Sequence, residues 1–310
     1  MSMIQTNDFD HVNLIEKVIE NNYMTYFNYD EFTNKQEFEN SISSANWNII
    51  QNNLLINITD SDDIENIIDK LIDHLIKLHD EFGYGLAGVK QIIEQNIQYI
   101  NQPLLDNILD WLIKNQISSK YIFFHGFLYF NGIIVKRNED KAFALFSKAS
   151  KNNYFMAQVY LGYFYENGRG TQKNMKKAIE WYEKSAKQEY GNAQCRLGYL
   201  YENGEGIDQD LEKAIDLYKK AAENGYVAAY HCLGKCYQDG IGIEKNEVKA
   251  FEHYKKSVEK GYLNGLYNLG YCYESGIGTE IDKEKAVELY KDAAKGGNRD
   301  AQRRLEIINS

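Results

Sequence analysis

The hydrophobic positions in the first 118 residues predict helices. Over residues 62–80, apolar residues recur at the i, i+3, i+4 and i+7 spacing of one helix face: Ile64, Ile67, Ile68, Leu71, Ile72, Leu75 and Ile76. Asp62 and Glu65 have the spacing of a capping box at the start of this helix. A second helix is predicted over 103–115, with Pro103 in its first turn, and two further helices over 8–20 and 88–99.

From about residue 121 the pattern repeats every 36 residues. Each copy contains a Leu-Gly pair, a tyrosine, a Gly-x-Gly, a Lys-Ala pair and a second tyrosine. In one copy these are Leu161, Gly162, Tyr165, Gly168, Gly170, Lys177, Ala178 and Tyr182, and the same residues return 36, 72 and 108 positions later. A fixed period of this length predicts an all-α solenoid, in which each repeat buries its apolar face against its neighbours.

The residues of one repeat predict two helices joined by a tight turn. Ala193, Leu197 and Tyr201 follow one another at four-residue intervals on one helix face. The glycine after the leucine costs about 1 kcal/mol relative to alanine inside a helix, so it predicts the close approach of a partner helix. The Gly-x-Gly predicts a turn with positive φ. The second helix is expected to be capped by Asn174, Asp210, Asn246 and Asp282.

Five repeats are predicted, over 121–156, 157–192, 193–228, 229–264 and 265–300. The first is degenerate, because His125 replaces the repeat leucine and Ile134 replaces the second glycine of the turn. A partial sixth helix over 301–310 carries Ala301 and Leu305 in register and then becomes polar, which is typical of a terminal cap.

These residues resemble a known family, the Sel-one-like repeat, a relative of the tetratricopeptide repeat. The motif A-x3-L-G-x2-Y-x2-G-x-G-x6-K-A-x3-Y-x3-A carries the resemblance over about 190 residues. The resemblance implies a right-handed superhelix of paired antiparallel helices and a non-enzymatic role as an adaptor that assembles other proteins. The cellular setting does not follow from the scaffold.

A second resemblance concerns the segment LLDNILDWLIKNQISSKYIFFHGFLYFNGI, residues 104–133. It is similar to the segment that precedes the repeats in fungal Sel-one-like proteins, where it often follows a protein-kinase domain. The chain shows no V-A-I-K, H-R-D or D-F-G signature of such a domain. The chain is therefore identified as a kinase-free member of that group, or as the tail part of that architecture. We divide it into an acidic helical region, 1–118, and a repeat solenoid, 119–310.

Charge differs between the two regions. Residues 1–118 hold 19 acidic and 6 basic residues, a net charge of −13, and residues 119–310 hold 26 and 29, a net charge of +3. The overall charge of −10 argues against nucleic-acid binding, which needs a basic face. The longest apolar stretch, 121–135, is shorter than the roughly 20 residues of a membrane span. Four cysteines in 310 residues predict free thiols and a cytoplasmic location.

The motifs that resemble chemical sites have structural interpretations. The G-x-G-x-x-G of residues 83–88 follows a predicted helix rather than a strand, so an inter-helix turn is expected instead of a nucleotide site. Cys232 and Cys236 lack the further ligand pairs of a zinc site. His125 and His253 replace leucine at core positions, so packing is expected of them rather than base catalysis. No catalytic residue, cofactor or metal is predicted.

The candidate site is a groove lined by the first helix of each repeat. Its predicted residues are Phe127, Tyr163, Asn167, Tyr199, Asn203, His231, Lys235, Tyr267 and Tyr271, flanked by Glu166, Glu202, Gln238 and Glu274. Tyrosine offers a large contact area with a polar tip, which suits the recognition of a peptide or protein partner. The alternative is that these tyrosines only pack between repeats. The predicted function is a partner-binding adaptor, or alternatively a regulatory subunit in protein-kinase signalling.

Overall fold

The computed structural model describes residues 63–82, 102–262, 264–295 and 298–309. In these ranges the chain forms thirteen helices and no strand, which confirms the predicted all-α repeat solenoid. The helices are α1 (Ile64–Phe82), α2 (Gln102–Lys114), α3 (Ser119–Asn131), α4 (Glu139–Ser150), α5 (Phe155–Asn167), α6 (Met175–Ala186), α7 (Gly191–Asn203), α8 (Leu211–Glu223), α9 (Ala228–Asp239), α10 (Glu247–Glu259), α11 (Asn264–Ser275), α12 (Lys283–Lys295) and α13 (Arg299–Asn309).

The described residues belong to two compact bodies. The N-terminal body contains Ile56–Ala229 with Ile241–Ile243, and the C-terminal body contains Tyr230–Gly240 and Glu244–Ser310. The first three repeats thus lie in the N-terminal body, together with α1 and α2, and the last two in the C-terminal body. The boundary between regions at residues 118 and 119 stays a prediction.

Helix α1 begins at Ile64, two residues after the predicted start at residue 62. The carboxylate of Asp63 accepts a hydrogen bond of 2.8 Å from the backbone N–H of Asn66, so Asp63 occupies the N-cap position. Asp62, the helices predicted over 8–20 and 88–99, and the glycine motif of residues 83–88 lie outside the described residues. Helix α2 begins at Gln102, which places Pro103 in its first turn as predicted.

Within each repeat, the glycine of the Leu-Gly pair lets the two helices touch. A Cβ atom on Gly162 of α5 would lie 2.5 Å from the ring of Tyr182 on α6, closer than any real contact allows. The same glycine–tyrosine contact recurs at Gly198, Gly234 and Gly270 with the second tyrosine of each repeat. The close approach predicted for this glycine is therefore confirmed.

The turn between the two helices is fixed by caps and by the preceding repeat. The side chain of Asn174 accepts from the backbone N–H of Lys177 at 3.0 Å, and Asn138, Asp210, Asn246 and Asp282 cap their helices in the same way. Gly170 has φ +55, and a Cβ on it would lie 2.5 Å from the carbonyl oxygen of Glu139 in the repeat before. The second turn glycine therefore serves both backbone conformation and inter-repeat packing.

The degenerate first repeat departs from this rule at one residue. Ile134 stands where the other repeats have the second turn glycine, and its φ of +65 is in the same left-handed region. A β-branched residue is strained in this conformation. Within the described residues no repeat precedes the first one, and α2 packs against α3 at this end of the solenoid. Helix α2 ends one repeat length, 36 residues, before the end of α4, the second helix of the first repeat.

Candidate functional site

Five of the predicted site residues share one position on the first helix of successive repeats. They are Phe127, Tyr163, Tyr199, Lys235 and Tyr271. The first three belong to the N-terminal body and the last two to the C-terminal body. The exposure of the side chain differs among these five equivalent positions, so the residues of each body are described separately.

Phe127 is not on an accessible surface, which corrects the prediction that it begins an exposed aromatic row. Its side chain has 0% exposure, and its ring centroid lies 6.1 Å from that of Phe124 and 6.2 Å from that of Tyr160. The physical reason is the aromatic composition of the first repeat, where Phe123, Phe124, Phe127 and Phe146 are all fully buried. Phe127 therefore belongs to the core.

Tyr163 and Tyr199 both reach solvent. Tyr163 of α5 is half-buried, and Tyr199 of α7 is an exposed large aromatic side chain at 39%. A guanidinium group lies over each ring, that of Arg169 at 5.6 Å from the centroid of Tyr163 and that of Arg196 at 4.9 Å from the centroid of Tyr199. These cation–π contacts hold the rings in place while leaving part of their area accessible.

Asn167 and Asn203 lie one helical turn after these tyrosines and are exposed. The amide nitrogen of Asn167 donates to the carbonyl oxygen of Tyr163, and that of Asn203 to the carbonyl oxygen of Tyr199, each at 2.9 Å. Each side chain thus satisfies a carbonyl group near the end of its own helix. We call Tyr163, Asn167, Tyr199 and Asn203 the tyrosine surface.

In the C-terminal body the predicted residues are more closely packed. His231 contacts the amide of Asn268, with 2.6 Å between Nε2 and Nδ2, and its ring lies 5.7 Å from that of Tyr254. The half-buried Tyr267 packs its ring 5.5 Å from that of Tyr290. Burial, followed by the negative charge of Asp300, raises the pKa of Tyr267. Lys235 is exposed and Tyr271 is half-buried.

A recurring buried hydrogen bond accounts for the residues expected to flank the groove. Tyr182 donates to Glu166 at 2.7 Å, and the same sixteen-residue relationship joins Tyr218 to Glu202, Tyr254 to Gln238 and Tyr290 to Glu274. These four acceptors therefore bind the second helix of their own repeat, and their place at the edge of the groove stays a prediction.

An arginine from the following repeat joins two of these pairs. Arg196 donates to Glu166 at 3.1 Å, and Arg304 donates to both oxygens of Glu274 at 2.8–3.1 Å. The hydrogen bonds from Arg304 and Tyr290 outweigh the effect of burial and lower the pKa of Glu274. Each arginine lies thirty residues after its glutamate, which is a sequence signal for the contact.

The first repeat replaces this polar cluster by aromatic rings. Phe130 and Phe146 stand at the positions of the glutamate and the tyrosine, and Tyr160 stands at the position of the arginine. The Tyr160 ring lies 6.0 Å from that of Phe130 and 5.0 Å from that of Phe146. Aromatic packing thus replaces the polar cluster in the first repeat, so the absence of a carboxylate at Phe130 goes with the absence of its tyrosine and arginine donors.

The titratable side chains of the repeats occupy packing positions. Burial, with a smaller contribution from a nearby lysine, lowers the pKa of His125 and of His253. Burial raises the pKa of the Cys272 thiol to about 12. Among the described residues, no three His, Cys, Asp or Glu side chains converge as metal ligands. In the same part of the chain, each helix is too short or too polar to cross a membrane.

Comparisons with known proteins follow the repeats. The model of the family described as Sel1 repeat matches residues 119–154, 155–190, 191–226, 227–262 and 263–298. These matches of 36 residues cover 180 of the 310 residues, and they keep the predicted period while starting two residues earlier than the predicted repeats. No curated protein sequence matches the chain.

Two solved structures extend the comparison. The Sel1 repeat protein from Oxalobacter formigenes is 30% identical, with a TM-score of 0.60 over 77% of this chain and 88% of that one. The protective antigen c5321 of uropathogenic Escherichia coli, which displays an SLR fold, is 24% identical, with a TM-score of 0.56 over 80% of this chain. The match spans about half, 52%, of the antigen's length and shows the fold alone. With five matched repeats over more than half of its length, the chain belongs to the Sel1 repeat family.

Proposed function

We propose that this protein is a non-enzymatic adaptor that binds a segment of a partner protein on the tyrosine surface. Sel1 repeat proteins are typically protein-interaction scaffolds. In the C-terminal body, the exposed Lys235 and the half-buried Tyr271 stand at the equivalent repeat position. Binding proceeds by shape, aromatic contact and hydrogen bonds without covalent chemistry.

The observation that carries the proposal is the exposure of Tyr199. The other tyrosine of the same helix, Tyr201, is buried, as is Tyr218 of the second helix. Packing between repeats accounts for the presence of those two tyrosines. It does not account for Tyr199, which is 39% exposed and lies beneath the guanidinium group of Arg196. A large, held and accessible ring costs little conformational entropy on binding, which is why tyrosine is common in recognition surfaces.

The tyrosine surface suits a segment with an apolar side chain flanked by polar groups. Apolar atoms pack against the exposed face of Tyr199 and the accessible part of Tyr163, while the polar atoms of the segment meet the amides of Asn167 and Asn203. Arg196 links α5 and α7 through Glu166, so the two tyrosines are held on connected helices. This connection reduces the reorganisation that binding requires.

The test is affinity capture from lysate of the source cells with the full chain as bait. The Tyr163→Ala/Tyr199→Ala double variant is compared with Trp181→Ala, since Trp181 is also a half-buried aromatic with a cation, Lys184, 3.9 Å above its ring, but lies on a second helix. We expect partners to be lost with the double variant and kept with Trp181→Ala, with both variants folded by circular dichroism. Partners kept by the folded double variant would reject the tyrosine surface.

A protein kinase is the partner class favoured by the resemblance of residues 104–133 to the segment before fungal repeats. In the structure this segment comprises most of α2 and the whole of α3, the helix that opens the first repeat. A kinase recovered in the capture experiment and released by the double variant would support this narrower proposal. Capture without any kinase would remove it and leave the adaptor role intact.

We also propose a cytoplasmic location. The four cysteines are thiols rather than disulfides, and Cys195, Cys236 and Cys272 are buried in repeat helices. Thiols in core positions are typical of proteins that work in a reducing compartment. Fluorescence microscopy of the tagged chain in its source cells tests this location, and an extracellular signal would contradict it.

A further inference from the structure

Helix α1 lies across the starts of the repeat helices in the N-terminal body. Near its beginning, Glu65 accepts a hydrogen bond of 2.8 Å from the hydroxyl of Tyr121, and Asp69 pairs with Lys120 at 2.7 Å. Near its end, Nε2 of His79 lies 2.8 Å from the hydroxyl of Tyr160. These contacts reach from the first repeat to the second.

A contact at the end of α1 reaches the end of the third repeat. The carbonyl oxygen of Asp80 accepts from the backbone N–H of Val227 at 3.3 Å, and α1 also packs against α3 and α7. From Glu65 to Asp80 a helix rises about 22 Å, at 1.5 Å per residue. This length is about twice the spacing of packed helices, so one helix is long enough to cross three repeats.

Helix α1 contacts the repeats in the way that an amphipathic helix of another protein contacts a binding surface. Its apolar face is almost completely buried, with exposures of 0–2% for Ile67, Ile68, Leu71, Ile72, Leu75 and Leu78. Its opposite face carries exposed polar residues such as Asn66, Asp73 and Lys77. A helix that places one apolar face on a groove and keeps its charges at the edges is a common mode of peptide recognition.

The fit between α1 and the repeats is incomplete. Tyr190 is buried at 8% exposure, and within the described residues its hydroxyl has no hydrogen-bond partner. Among the same residues, the buried hydroxyl of Tyr154 and Nδ1 of His79 also lack partners. A buried polar atom without a partner weakens an interface, and a ligand that supplies the missing bond binds more tightly.

The charges of two α1 carboxylates act on these hydroxyl groups. Burial, and then the negative charge of Asp73, raises the pKa of Tyr154. Burial, and then the charge of Asp80, raises the pKa of Tyr190.

We propose that the repeat surface beneath α1 is a binding site for an acidic amphipathic helix of a partner protein, and that α1 occupies this site in cis until the partner displaces it. The α1 contacts and charge support this class, since residues 63–82 hold six acidic and two basic residues and Lys120 of the repeat surface pairs with Asp69 of α1. The inference rests on the proposed adaptor function but uses a different surface, defined by Lys120, Tyr121, Tyr154, Tyr160 and Tyr190.

The experiment measures binding of a fluorescent peptide of residues 63–82 to the full chain. Leu75→Asp in the chain places a charge on the buried face of α1, so we expect this variant to bind the peptide at least tenfold more tightly than the wild-type chain does. A peptide with Leu75→Asp should not bind, and Trp181→Ala in the chain should leave peptide binding unchanged.

Hydrogen exchange on the wild-type chain gives a readout that does not depend on a variant. A helix that is displaced by partners opens more often than the scaffold, so the α1 amides should exchange together at least tenfold faster than those of α5 and α7. Equal protection of α1 and these helices would overturn the proposal, as would equal peptide binding by the wild-type and the folded Leu75→Asp chain.

Discussion

The hydroxyl group of Tyr182 donates a hydrogen bond of 2.7 Å to Oε2 of Glu166, sixteen residues earlier in the same repeat. Arg196 of the next repeat donates to the same oxygen at 3.1 Å. One buried carboxylate thus connects the two helices of its repeat to each other and to the repeat that follows. Since a solenoid is stabilised only by such neighbouring contacts, this cluster contributes to cooperativity along the chain.

Removal of the arginine that binds the repeat glutamate should reduce stability most where that glutamate is most buried. Arg196→Ala leaves Glu166, whose side chain is 9% exposed, with a single donor, so we expect a loss of roughly 1–3 kcal/mol in stability. Arg304→Ala should cost less, because the Glu274 side chain is 16% exposed. Urea denaturation measures both, and Glu166→Gln combined with Arg196→Ala should recover part of the loss by removing the unpaired charge. Equal costs for the two arginines would contradict this ranking.

Alanine at the repeat glycine should destabilise the fold although alanine favours helix. At Gly162 the new Cβ would lie 2.5 Å from the Tyr182 ring, and the resulting overpacking costs about 1–3 kcal/mol, more than the roughly 1 kcal/mol gained in helix propensity. Gly270→Ala should be milder, since the corresponding distance to Tyr290 is 3.0 Å. Thermal denaturation of the two variants tests this order, and a higher Tm for Gly162→Ala would refute the packing argument.

Sequence reasoning succeeds where a steric or capping requirement is the same in every repeat. Gly162 recurs because a ring touches it, and Asn174 has an Asn or Asp counterpart in each repeat because the second helix needs a cap. The ion pair of Arg196 with Glu166 was missed because arginine fills this position only there and at Arg304. The recurrence of a glutamate followed by an arginine thirty residues later, at Glu166 and Arg196 and again at Glu274 and Arg304, is the sequence signal for this ion pair.

The candidate site shows what periodicity cannot reveal. Register places Phe127 and Tyr199 at one repeat position, yet the first is fully buried and the second is 39% exposed. The difference comes from non-repeating surroundings, namely the aromatic core of the first repeat around Phe127. The sequence predicts a helix over 62–80, close to the observed Ile64–Phe82, but its docking on the repeats depends on contacts such as that of His79 with Tyr160, which are 81 residues apart.

Replacement of Ile134 by glycine should stabilise the first repeat. Ile134 adopts φ +65, which glycine adopts without strain, and its side chain is only half-buried, so little packing is lost. We expect a gain of about 1 kcal/mol, seen as a higher Tm. Ile134→Ala is the control, because it shortens the side chain but keeps the strained backbone. A gain from alanine equal to that from glycine would show that the side chain, and not φ, limits stability.

The docking of α1 should weaken in mild acid. Burial lowers the pKa of His79 from its usual 6.5 to about 4, and burial with the charge of Lys77 lowers that of His74 to about 4. A depressed histidine pKa contributes stability above pH 6.5 that is lost as the pH falls toward 4. Burial raises the pKa of Asp80 from 3.8 to about 6, which acts in the opposite direction, because protonation of Asp80 favours the docked state.

Two histidines outweigh one aspartate, so the net effect between pH 7 and pH 4 should be a loss of roughly 4 kcal/mol, at 1.4 kcal/mol per pKa unit. Hydrogen exchange of the α1 amides, corrected for intrinsic rates, measures it as faster opening at low pH. His79→Gln removes one titrating group and should flatten the profile, whereas Asp80→Asn removes the opposing group and should steepen it. Opening that slows toward pH 4 in the wild-type chain would show that Asp80 dominates and that the burial of the histidines contributes little to docking.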